Sequence, residues 1–267
     1  MRLQNCLANC RFTKKIYYSF LNNYVAKKQY RKNKKLLNNL KQFKNIHSGK
    51  RCFIIGTGPS LRIEDLELLK NEITFASNRI YEIFSKTDWR PTYYMNQDMM
   101  LIDKFSEEII NTQAKHKFLP LDRKDIFINQ DNVSFFVLKH KDFYPKDAEF
   151  SHKVDKFIGQ GFTVTYGAIQ LAAYMGFSEI YLLGIDHNYS ISLDEKGVPV
   201  FNNDVKDYFK GSKASNKDLN LPRIAESTLA YMTAQKVSKK CNEFKIYNAT
   251  RGGKLEAFPR VVFDDLF

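Results

Sequence analysis

An α/β fold with a mostly parallel sheet is predicted by three features of this 267-residue sequence. Short apolar runs alternate with segments of helical periodicity along residues 50–267, as strands and helices do in parallel sheets. The clearest unit is a helix over residues 163–175, closed by Gly176 and followed by an apolar, β-branched strand over 179–185. A hydrophobic content of 43% is enough for one substantial core. We therefore expect a Rossmann-like domain with helices on both faces of the sheet.

The other predicted elements follow from short apolar runs and from helical periodicity. The predicted strands cover residues 51–55, 73–77, 91–95, 117–119, 133–138, 179–185 and 244–247, and the predicted helices cover 63–69, 101–110, 163–175 and 224–240. Residues 190–222 are polar, weakly periodic and longer than an ordinary connection, so we expect a lid or an insertion there.

The positive charge of the chain is concentrated at its N-terminal end. Residues 1–50 hold thirteen Lys or Arg and no Asp or Glu. The remaining residues, 51–267, hold 29 basic and 29 acidic side chains, so their formal charges cancel. Apolar residues recur in this arm at helical spacing: Phe12, Ile16, Phe20, Tyr24, Val25, Leu36, Leu37, Leu40 and Phe43. We predict a basic amphipathic helical arm over residues 1–49 and a Rossmann-like catalytic domain over residues 50–267.

The sequence leaves several binding partners possible for this arm. A basic amphipathic helix can bind an anionic membrane surface, here through residues 1–45. The apolar stripe can instead pack on the body of the protein, or on a second copy of the chain in a homo-oligomer. We expect no nucleic-acid partner, because neither stacking aromatics nor a recognition motif accompanies the charge.

The cysteines and the apolar runs bear on the cellular compartment. Cys6 and Cys10 lack the further Cys or His that a zinc site needs, and Cys52 lies in a predicted buried strand. The first residues lack the apolar core of a signal peptide, and no apolar run approaches the ~20 residues that span a bilayer. These features predict a reduced, cytoplasmic protein, peripheral at the inner face of the cell membrane if the arm binds lipid.

A glycine-rich turn follows the first predicted strand and precedes a helix, in the order Gly56, Thr57, Gly58, Pro59, Ser60 and Leu61. Glycines at such a turn let backbone N–H groups approach phosphate oxygens at a helix N-terminus. No Gly-Lys-Ser/Thr follows, so this is not a Walker A loop. Leu61 replaces the third glycine of a dinucleotide fingerprint and Asn78 replaces its acid, which disfavours NAD. We predict a nucleotide phosphate site; the alternative is a tight turn that needs two glycines.

Polar residues follow three of the predicted strands. They are Asn78 and Arg79 after the second strand, Asn96, Gln97 and Asp98 after the third, and Asp186, His187 and Asn188 after the strand over 179–185. The carboxyl ends of parallel strands converge on one crevice, so these groups are expected to form one site. The alternative for each asparagine is a helix cap.

Five separate runs of the chain resemble the bacterial DUF115 or MptE-like family. They are CFIIGTGPSL at 52–61, ITFASNR at 73–79, GFTVTY at 161–166, GFSEIYLLGIDHN at 176–188 and GGKLEAFP at 252–259. The resemblance extends roughly over residues 50–267 and leaves the basic arm unexplained.

The resemblance implies two kinds of chemistry. Bacterial members resemble enzymes of surface-polysaccharide assembly, and the family 42 sialyltransferases, which use CMP-sialic acid without metal, share the G-x-G-P-S-L opening and the Gly-Ile-Asp strand end. Archaeal members are 6-hydroxymethylpterin pyrophosphokinases, which move a diphosphate from ATP with Mg²⁺. This chain differs from the sialyltransferases at Thr57, where they have Asn, and in residues 207–211, which contain no counterpart of their catalytic histidine.

The predicted function is a glycosyltransferase with a nucleotide-sugar donor, a glycan or lipid-linked acceptor and no required cofactor. A base must take the proton of the acceptor hydroxyl, and hydrogen-bond donors must stabilise the leaving phosphate. The candidate bases are His187, Asp186 and Asp98. The candidate nucleotide and phosphate ligands are Gly56, Thr57, Gly58, Pro59, Ser60, Asn78, Arg79, Asn96, Thr163, Thr165, Tyr208 and Lys210.

A pyrophosphokinase and a non-catalytic nucleotide-binding protein are the alternatives. In a pyrophosphokinase the same site would hold Mg²⁺ through Asp98 and Asp186, with Arg79 and Lys254 on the phosphates. His187 would then be a structural residue.

Overall fold

A computed structural model describes residues 11–140, 146–193, 198–210, 212 and 221–267, with the backbone alone for residues 11–20 and 193. Cys6, Cys10, Gly211 and the side chains of Phe12, Ile16 and Phe20 lie outside this description. The strands, in chain order, are β1 (Arg51–Ile55), β2 (Thr74–Ser77), β3 (Tyr93–Met95), β4 (His116–Pro120), β5 (Val133–Phe136), β6 (Leu138–Lys139), β7 (Ile158–Gly159), β8 (Glu179–Leu183), β9 (Ile191–Leu193), β10 (Pro199–Phe201) and β11 (Lys245–Asn248).

The helices lie between these strands and before β1. They are α1 (Arg11–Lys32), α2 (Lys34–Leu37), α3 (Ile63–Leu68), α4 (Met99–Lys104), α5 (Ser106–Asn111), α6 (Lys124–Phe127), α7 (Val164–Tyr174) and α8 (Ile224–Cys241), with 3₁₀ turns at Asn38–Phe43, Ile80–Ile83, Leu121–Arg123 and Phe263–Leu266. None of the described helices is both long enough and apolar enough to cross a lipid bilayer.

Seven strands form one parallel sheet in the order β11-β8-β1-β2-β3-β4-β5. Every residue of β2, β3 and β5 is buried. Strands covered on both faces bury the side chains of both faces, which is why these segments lack the regular alternation of polar and apolar residues even though β2 and β5 contain Thr74, Ser77 and Ser134. The predicted α/β, Rossmann-like class is confirmed.

Alternate residues of β1 enter hydrophobic cores on the opposite faces of the sheet. Cys52 and Ile54 join the core to which the small residues of α7 and α8 contribute. Phe53 and Ile55 join the core of the other face, with apolar residues of α3, α4 and α5. The buried position predicted for Cys52 is thus observed, and the sheet is held between two helical layers.

Two predicted elements are divided in the structure. The predicted helix over 101–110 is two short helices, α4 and α5, with Phe105 between them. The predicted strand over 133–138 is β5 followed by β6, because the Val137 carbonyl accepts a 2.8 Å hydrogen bond from the Ile158 N–H. The chain there leaves the main sheet and pairs with β7 in a small separate sheet.

The predicted boundary between arm and domain at residue 49 is not a break in packing. Leu37, Leu40 and Phe43 are buried in the domain cores. Beyond them, three backbone N–H groups of residues 45, 47 and 49 donate to the carbonyls of residues 174, 175 and 176. The second half of the arm is therefore part of the domain, because its apolar residues complete both helical layers.

The predicted lid region contains a short antiparallel hairpin and a segment fixed to the glycine-rich turn. Strands β9 and β10 pair with each other. Further on, the buried Phe209 donates its N–H to the Thr57 carbonyl at 2.9 Å. Much of the remainder, residues 194–197, 211 and 213–220, lies outside the described residues.

Candidate functional site

A cavity of about 490 Å³ lies at the carboxyl ends of the central strands. After β5 the chain returns to place β8 on the other side of β1, so the winding direction reverses between these two strands. Open parallel sheets bind ligands at such a reversal, and a volume of roughly 300–1,000 Å³ suits a small molecule. The residues that follow β1, β2, β3 and β8 line this cavity together with the first turn of α7.

Most of the residues predicted from the sequence meet at this cavity. Those that line it are Gly56, Thr57, Gly58, Asn78, Asp98, Thr163, Thr165, Asp186, His187 and Tyr208. Those outside its lining are Pro59, Ser60, Arg79, Asn96, Lys210 and Lys254.

The two glycines after β1 pack against the end of β8. Gly56 N–H donates to the Leu183 carbonyl at 2.8 Å, and Gly58 N–H donates to the Gly184 carbonyl at 3.0 Å. A Cβ atom on Gly56 would lie 2.3 Å from the Gly184 oxygen, and one on Gly58 would lie 1.9 Å from Asp186 Oδ2. The glycines are therefore needed for close packing of two strand ends. The N–H groups of Gly56 and Gly58 are therefore already bonded within the protein, so a phosphate in the predicted site would need other donors.

The N-terminus of the helix that follows this turn, α3, is occupied by a carboxylate of the protein itself. The Asp65 carboxylate accepts a 3.4 Å hydrogen bond from the Arg62 N–H at the start of α3 and forms a 2.6 Å ion pair with Arg251. A carboxylate at a helix N-terminus satisfies the same groups that would otherwise attract a phosphate. The start of α3 is thus an unfavourable place for the ligand.

Asp186 joins the glycine-rich turn to the C-terminal segment. Its Oδ2 atom accepts hydrogen bonds from Ser60 Oγ at 2.8 Å and from the Ser60 N–H at 3.4 Å. Its carbonyl accepts the Lys254 N–H at 2.7 Å. Burial raises the pKa of Asp186, and the two Ser60 bonds oppose that rise. Ser60 therefore positions Asp186 and does not itself line the cavity.

His187 has a defined proton position. Its Nε2 atom lies 2.7 Å from Thr228 Oγ1, and that hydroxyl donates its own hydrogen to the Ile224 carbonyl at 2.8 Å. Nε2 must therefore carry the proton, which leaves the lone pair on Nδ1. Nδ1 is buried and has no hydrogen-bond partner among the described residues. Burial lowers the pKa of His187, so the ring is neutral near pH 7 and able to accept a proton.

The polar residues after β2 and β3 have unequal roles. The Asn78 side chain lines the cavity, and its Oδ1 has no hydrogen-bond partner among the described residues. Asn96 is buried and accepts the Asp98 N–H at 2.9 Å. Asp98 Oδ1 accepts the N–H groups of residues 100 and 101 and so caps α4. Helix capping, considered for the asparagines, thus applies to Asp98.

Among the predicted ligands outside the cavity lining, Arg79 and Lys210 have contacts of their own. Arg79 is buried, forms an ion pair with Glu82 and lies 4.4 Å from the ring centroid of Phe105. Lys210 is exposed, and its carbonyl accepts a hydrogen bond from Lys86 Nζ at 3.3 Å. Both were predicted as ligands from their position, Arg79 after a strand and Lys210 in a motif. In the structure the guanidinium of Arg79 is instead paired with Glu82, three residues further along the chain.

The N-terminus of α7 offers the better anion site. The first turn of this 11-residue helix lines the cavity and contains no acidic residue. Thr163 Oγ1 lies 3.1 Å from the Tyr231 hydroxyl and caps no helical N–H. N–H groups at an uncapped helix start, together with the helix dipole, favour an anion. Thr163 and Thr165, which came from the family resemblance, flank this position.

Several cavity residues were not among the predicted ligands. Gln97 was expected near the site but given no role, and its Oε1 is buried without a hydrogen-bond partner among the described residues. Gln160, Phe162, Tyr189, Arg223 and Tyr231 were not predicted at the site. Arg223 is the only Lys or Arg among the described lining residues, and its guanidinium lies 4.8 Å from the centroid of Phe162. Only Gln97 had a signal in the sequence, its place after β3; the others come from elements whose position against the sheet depends on packing.

The residues present fit a magnesium ion only in part. Asp98 and Asp186 line the same cavity, but each has one carboxylate oxygen engaged in protein hydrogen bonds. The described residues contain no group of three His, Cys, Asp or Glu side chains that could hold a metal. Mg²⁺ commonly uses one or two carboxylates with substrate phosphates. Asp98 and Asp186 could thus contribute to such an ion only together with a bound phosphate ligand.

Sheet order and cavity position define a doubly wound α/β protein with a cavity at its reversal point. The family model "6-hydroxymethylpterin diphosphokinase MptE-like" matches residues 19–192, and the chain belongs to this MptE-like family. Comparison with curated protein sequences gave no match. The fold is similar to that of a MAf glycosyltransferase from Magnetospirillum magneticum AMB-1, with a TM-score of 0.51 and 16% identity. That match covers 84% of this chain and 35% of the other, so this chain spans about a third of its length.

Proposed function

We propose that this protein is a glycosyltransferase that binds a nucleotide-activated sugar in the cavity at the reversal point and uses His187 as general base. The observation that carries the proposal is the half-buried, neutral His187 ring, with its proton held on Nε2 by Thr228 and its Nδ1 lone pair left without a partner among the described residues. Membership of the MptE-like family and the shared fold of the MAf glycosyltransferase support a transferase of this class.

The donor's phosphate is assigned to the N-terminus of α7. Its first turn lines the cavity without an acidic residue. Arg223, which forms an ion pair with Glu226, lies in the same lining and would have to share its guanidinium with the phosphate. Asn78 and Gln97 offer buried amide oxygens that lack hydrogen-bond partners among the described residues, and these suit the hydroxyl or amino groups of a nucleoside or sugar.

His187 is preferred to the two carboxylates as base. Asp98 is engaged as a helix cap, and Asp186 accepts hydrogen bonds from Ser60. In the transfer step, Nδ1 takes the proton of the acceptor hydroxyl while the acceptor oxygen forms a bond to the sugar. The sugar–phosphate bond breaks, and the nucleotide leaves with that electron pair at the α7 N-terminus. A CMP-linked donor and a role in surface-polysaccharide synthesis rest on the sequence resemblance.

A pyrophosphokinase remains the second candidate. The family description itself names a diphosphokinase, and Asp98 and Asp186 line one cavity. In that function the two carboxylates would bind Mg²⁺ together with the phosphates of ATP.

A thermal-shift panel of CMP, CDP, UDP, GDP and ATP, each with and without Mg²⁺, separates the two candidates. A ligand that binds only the folded state raises the free energy of unfolding, by about 2.7 kcal/mol when its concentration is a hundred times Kd, and therefore also raises Tm. Stabilisation by a pyrimidine nucleotide or GDP supports the transferase, and CMP without metal supports the CMP-linked donor. Selective stabilisation by Mg-ATP would replace the transferase with the pyrophosphokinase.

His187→Gln tests the base directly. Glutamine keeps an N–H donor for Thr228 but has no basic nitrogen. Nucleotide binding should persist, while transfer should fall about 10²–10⁴-fold, the range for loss of a general base. The control is His152→Gln, since His152 is exposed and lines neither described cavity. Full transfer activity in His187→Gln would remove His187 from the mechanism.

The proposed enzyme is held at an anionic membrane surface by α1. One face of α1 contacts the body, where Ala26 is buried and the ring centroid of Tyr30 lies 4.1 Å from Lys156 Nζ. The outward face exposes Leu21, Tyr24 and Val25 beside exposed lysines of the same helix. Exposed apolar and basic residues on one helix face suit the surface of an anionic bilayer.

A further inference from the structure

A second cavity, of about 410 Å³, shares His187 with the first. It lies between α8 and the C-terminal segment, and its other described lining residues are Thr228, Met232, Gln235, Lys236, Lys254, Leu255, Glu256 and Ala257. Of the described residues, His187 alone lines both cavities. His187 is therefore the residue that the two cavities have in common.

The C-terminal segment is fixed to the strand end that carries His187. Gly253 has a φ of +73°, and a Cβ atom there would lie 2.7 Å from the Asp186 carbonyl oxygen. The next residue, Lys254, donates its N–H to that same oxygen at 2.7 Å. Only a glycine permits this backbone contact, and the contact places Lys254 beside the His187 cavity wall. In the GGK run of the sequence, Gly253 and Lys254 thus attach the C-terminal segment to the Asp186 carbonyl.

Lys254 is the one charged lining residue of this cavity that forms no ion pair among the described residues. The other two have partners: Lys236 pairs with Asp147 at 2.7 Å, and Glu256 pairs with Arg260 at 2.7 Å. An exposed ammonium group without a counter-ion at the edge of a cavity favours an anionic group on the ligand.

The rest of the lining suits a hydroxyl-bearing molecule. Gln235 Oε1 is buried and has no hydrogen-bond partner among the described residues, so it can accept a hydrogen bond from a hydroxyl group. Met232, Leu255 and Ala257 provide apolar surface of the kind that packs on the C–H faces of a sugar ring.

We propose that the second cavity is the acceptor site, and that it takes a sugar carrying a carboxylate or phosphate group, bound by Lys254. This assignment rests on the proposed glycosyltransferase function. The nucleotide-activated donor occupies the first cavity and the acceptor the second, with His187 between them. The acceptor hydroxyl gives its proton to His187 and its oxygen forms the new bond to the donor sugar, while the sugar–phosphate bond breaks and the nucleotide leaves with that electron pair. The anionic group stays on Lys254 and takes no part in bond making.

Methionine methyl groups provide separate reporters for the two cavities. The sequence has six methionines; Met99 and Met100 line the first cavity, and Met232 lines the second. In the full chain labelled with [ε-¹³C]methionine, the nucleotide panel should shift the Met99 and Met100 signals. Glucuronate and glucose 6-phosphate should shift the Met232 signal, and neutral glucose should do so much less. The buried Met95 and Met175 report any general change of fold.

Lys254→Gln should raise the Kd of the anionic sugar, measured from the shift of the Met232 signal, about tenfold or more. That change corresponds to loss of one charged contact. The control is Lys239→Gln, an exposed lysine on α8 that lines neither described cavity. A response to glucuronate alone, or to glucose 6-phosphate alone, identifies carboxylate or phosphate as the group recognised.

The two proposals fail in different ways. If no nucleotide shifts Met99 or Met100, the glycosyltransferase assignment fails at its donor site, whatever Met232 shows. If both anionic sugars leave Met232 unchanged, or shift it no more than glucose does, the acceptor-site proposal is overturned. The same holds if their effect survives unchanged in Lys254→Gln.

Discussion

The Thr228 hydroxyl fixes the proton of His187 at a distance of 2.7 Å between Oγ1 and Nε2. Thr228 lies inside α8 and gives its hydrogen to the Ile224 carbonyl, so its oxygen can only accept from the imidazole. A threonine that bonds its own helix is a common local feature. Here the feature also determines which histidine nitrogen is basic, and it connects α8 to the end of β8.

The first prediction concerns this proton. In ¹⁵N-labelled protein at pH 7.5, His187 should be the neutral Nε2–H tautomer, because Thr228 accepts at that nitrogen. Thr228→Val removes the acceptor and should give a mixture of tautomers, with lower transfer activity and unchanged nucleotide binding. Thr228→Ser keeps the oxygen and is the control. An Nδ1–H tautomer in the unmodified protein would contradict the assignment.

The second prediction concerns the bond between Ser60 and Asp186. Because burial raises the pKa of Asp186, its contribution to stability is present below the unfolded pKa and is lost as pH rises through the folded pKa. Ser60→Ala removes a bond that favours the ionised form. The variant should lose about 1–2 kcal/mol near pH 7 and less near pH 4, measured by urea unfolding.

The control for that experiment is Ser178→Ala. The Ser178 hydroxyl donates to the backbone carbonyls of residues 49 and 50 and has no titratable partner there. Its stability loss should be the same at both pH values. If Ser60→Ala loses the same free energy of unfolding at pH 4 and at pH 7, the Ser60 bond does not depend on the ionisation of Asp186 and the prediction is wrong.

The third prediction concerns His116. Its ring packs 4.7 Å from that of Phe43, and burial lowers its pKa to about 4. The stabilising contribution of the neutral ring is therefore full above pH 6.5 and is lost as pH falls from there toward 4. His116→Gln should reduce the stability lost between pH 7 and pH 4.5 by about 1–2 kcal/mol. His152→Gln, at an exposed histidine, should leave that difference unchanged.

The fourth prediction concerns the glycine-rich turn. Gly58→Ala would place a Cβ atom 1.9 Å from Asp186 Oδ2 and 2.7 Å from the Gly184 oxygen, so one strand end must move. We expect a loss of about 1–3 kcal/mol in the free energy of unfolding, typical of overpacking. Thr57→Ala introduces the same residue in the same turn without adding atoms and should be close to neutral. A stable Gly58→Ala variant would show that the turn can relax.

The fifth prediction concerns membrane binding by α1. Deleting residues 1–45 would also remove Leu37, Leu40 and Phe43 from the cores, so point variants are the sharper test. Lys28→Glu with Lys32→Glu should weaken binding to vesicles containing phosphatidylglycerol at least about tenfold, since each basic residue contributes about 1 kcal/mol. Lys239→Glu with Lys240→Glu makes the same charge change on α8 and is the control.

Phosphatidylcholine vesicles provide the second comparison. Binding to them should be weak for all variants, because they lack the anionic charge. Equal loss in the α1 and α8 double variants would indicate a general charge effect, and absence of binding in the unmodified protein would remove the membrane from the proposal.

The sequence by itself determined the sheet and the place of the site. Short apolar runs such as residues 52–55, followed by a glycine turn, favour strands covered on both faces, and parallel strands bring their polar ends to one edge. The convergence of Asn78, Asp98 and Asp186 on one cavity followed from that rule alone. These properties depend on residue order along single elements, which is what a sequence records.

Only the tertiary structure decided what each of these groups does. The N–H of Gly58 is bonded to residue 184, Ser60 is bonded to Asp186, and His187 is bonded to Thr228. Each bond joins segments between 41 and 126 positions apart, or depends on how two strand ends pack. Residue type indicates that a group can donate or accept a hydrogen bond. Which partner satisfies it, and which lone pair remains for a substrate, is set by the packing of the whole domain.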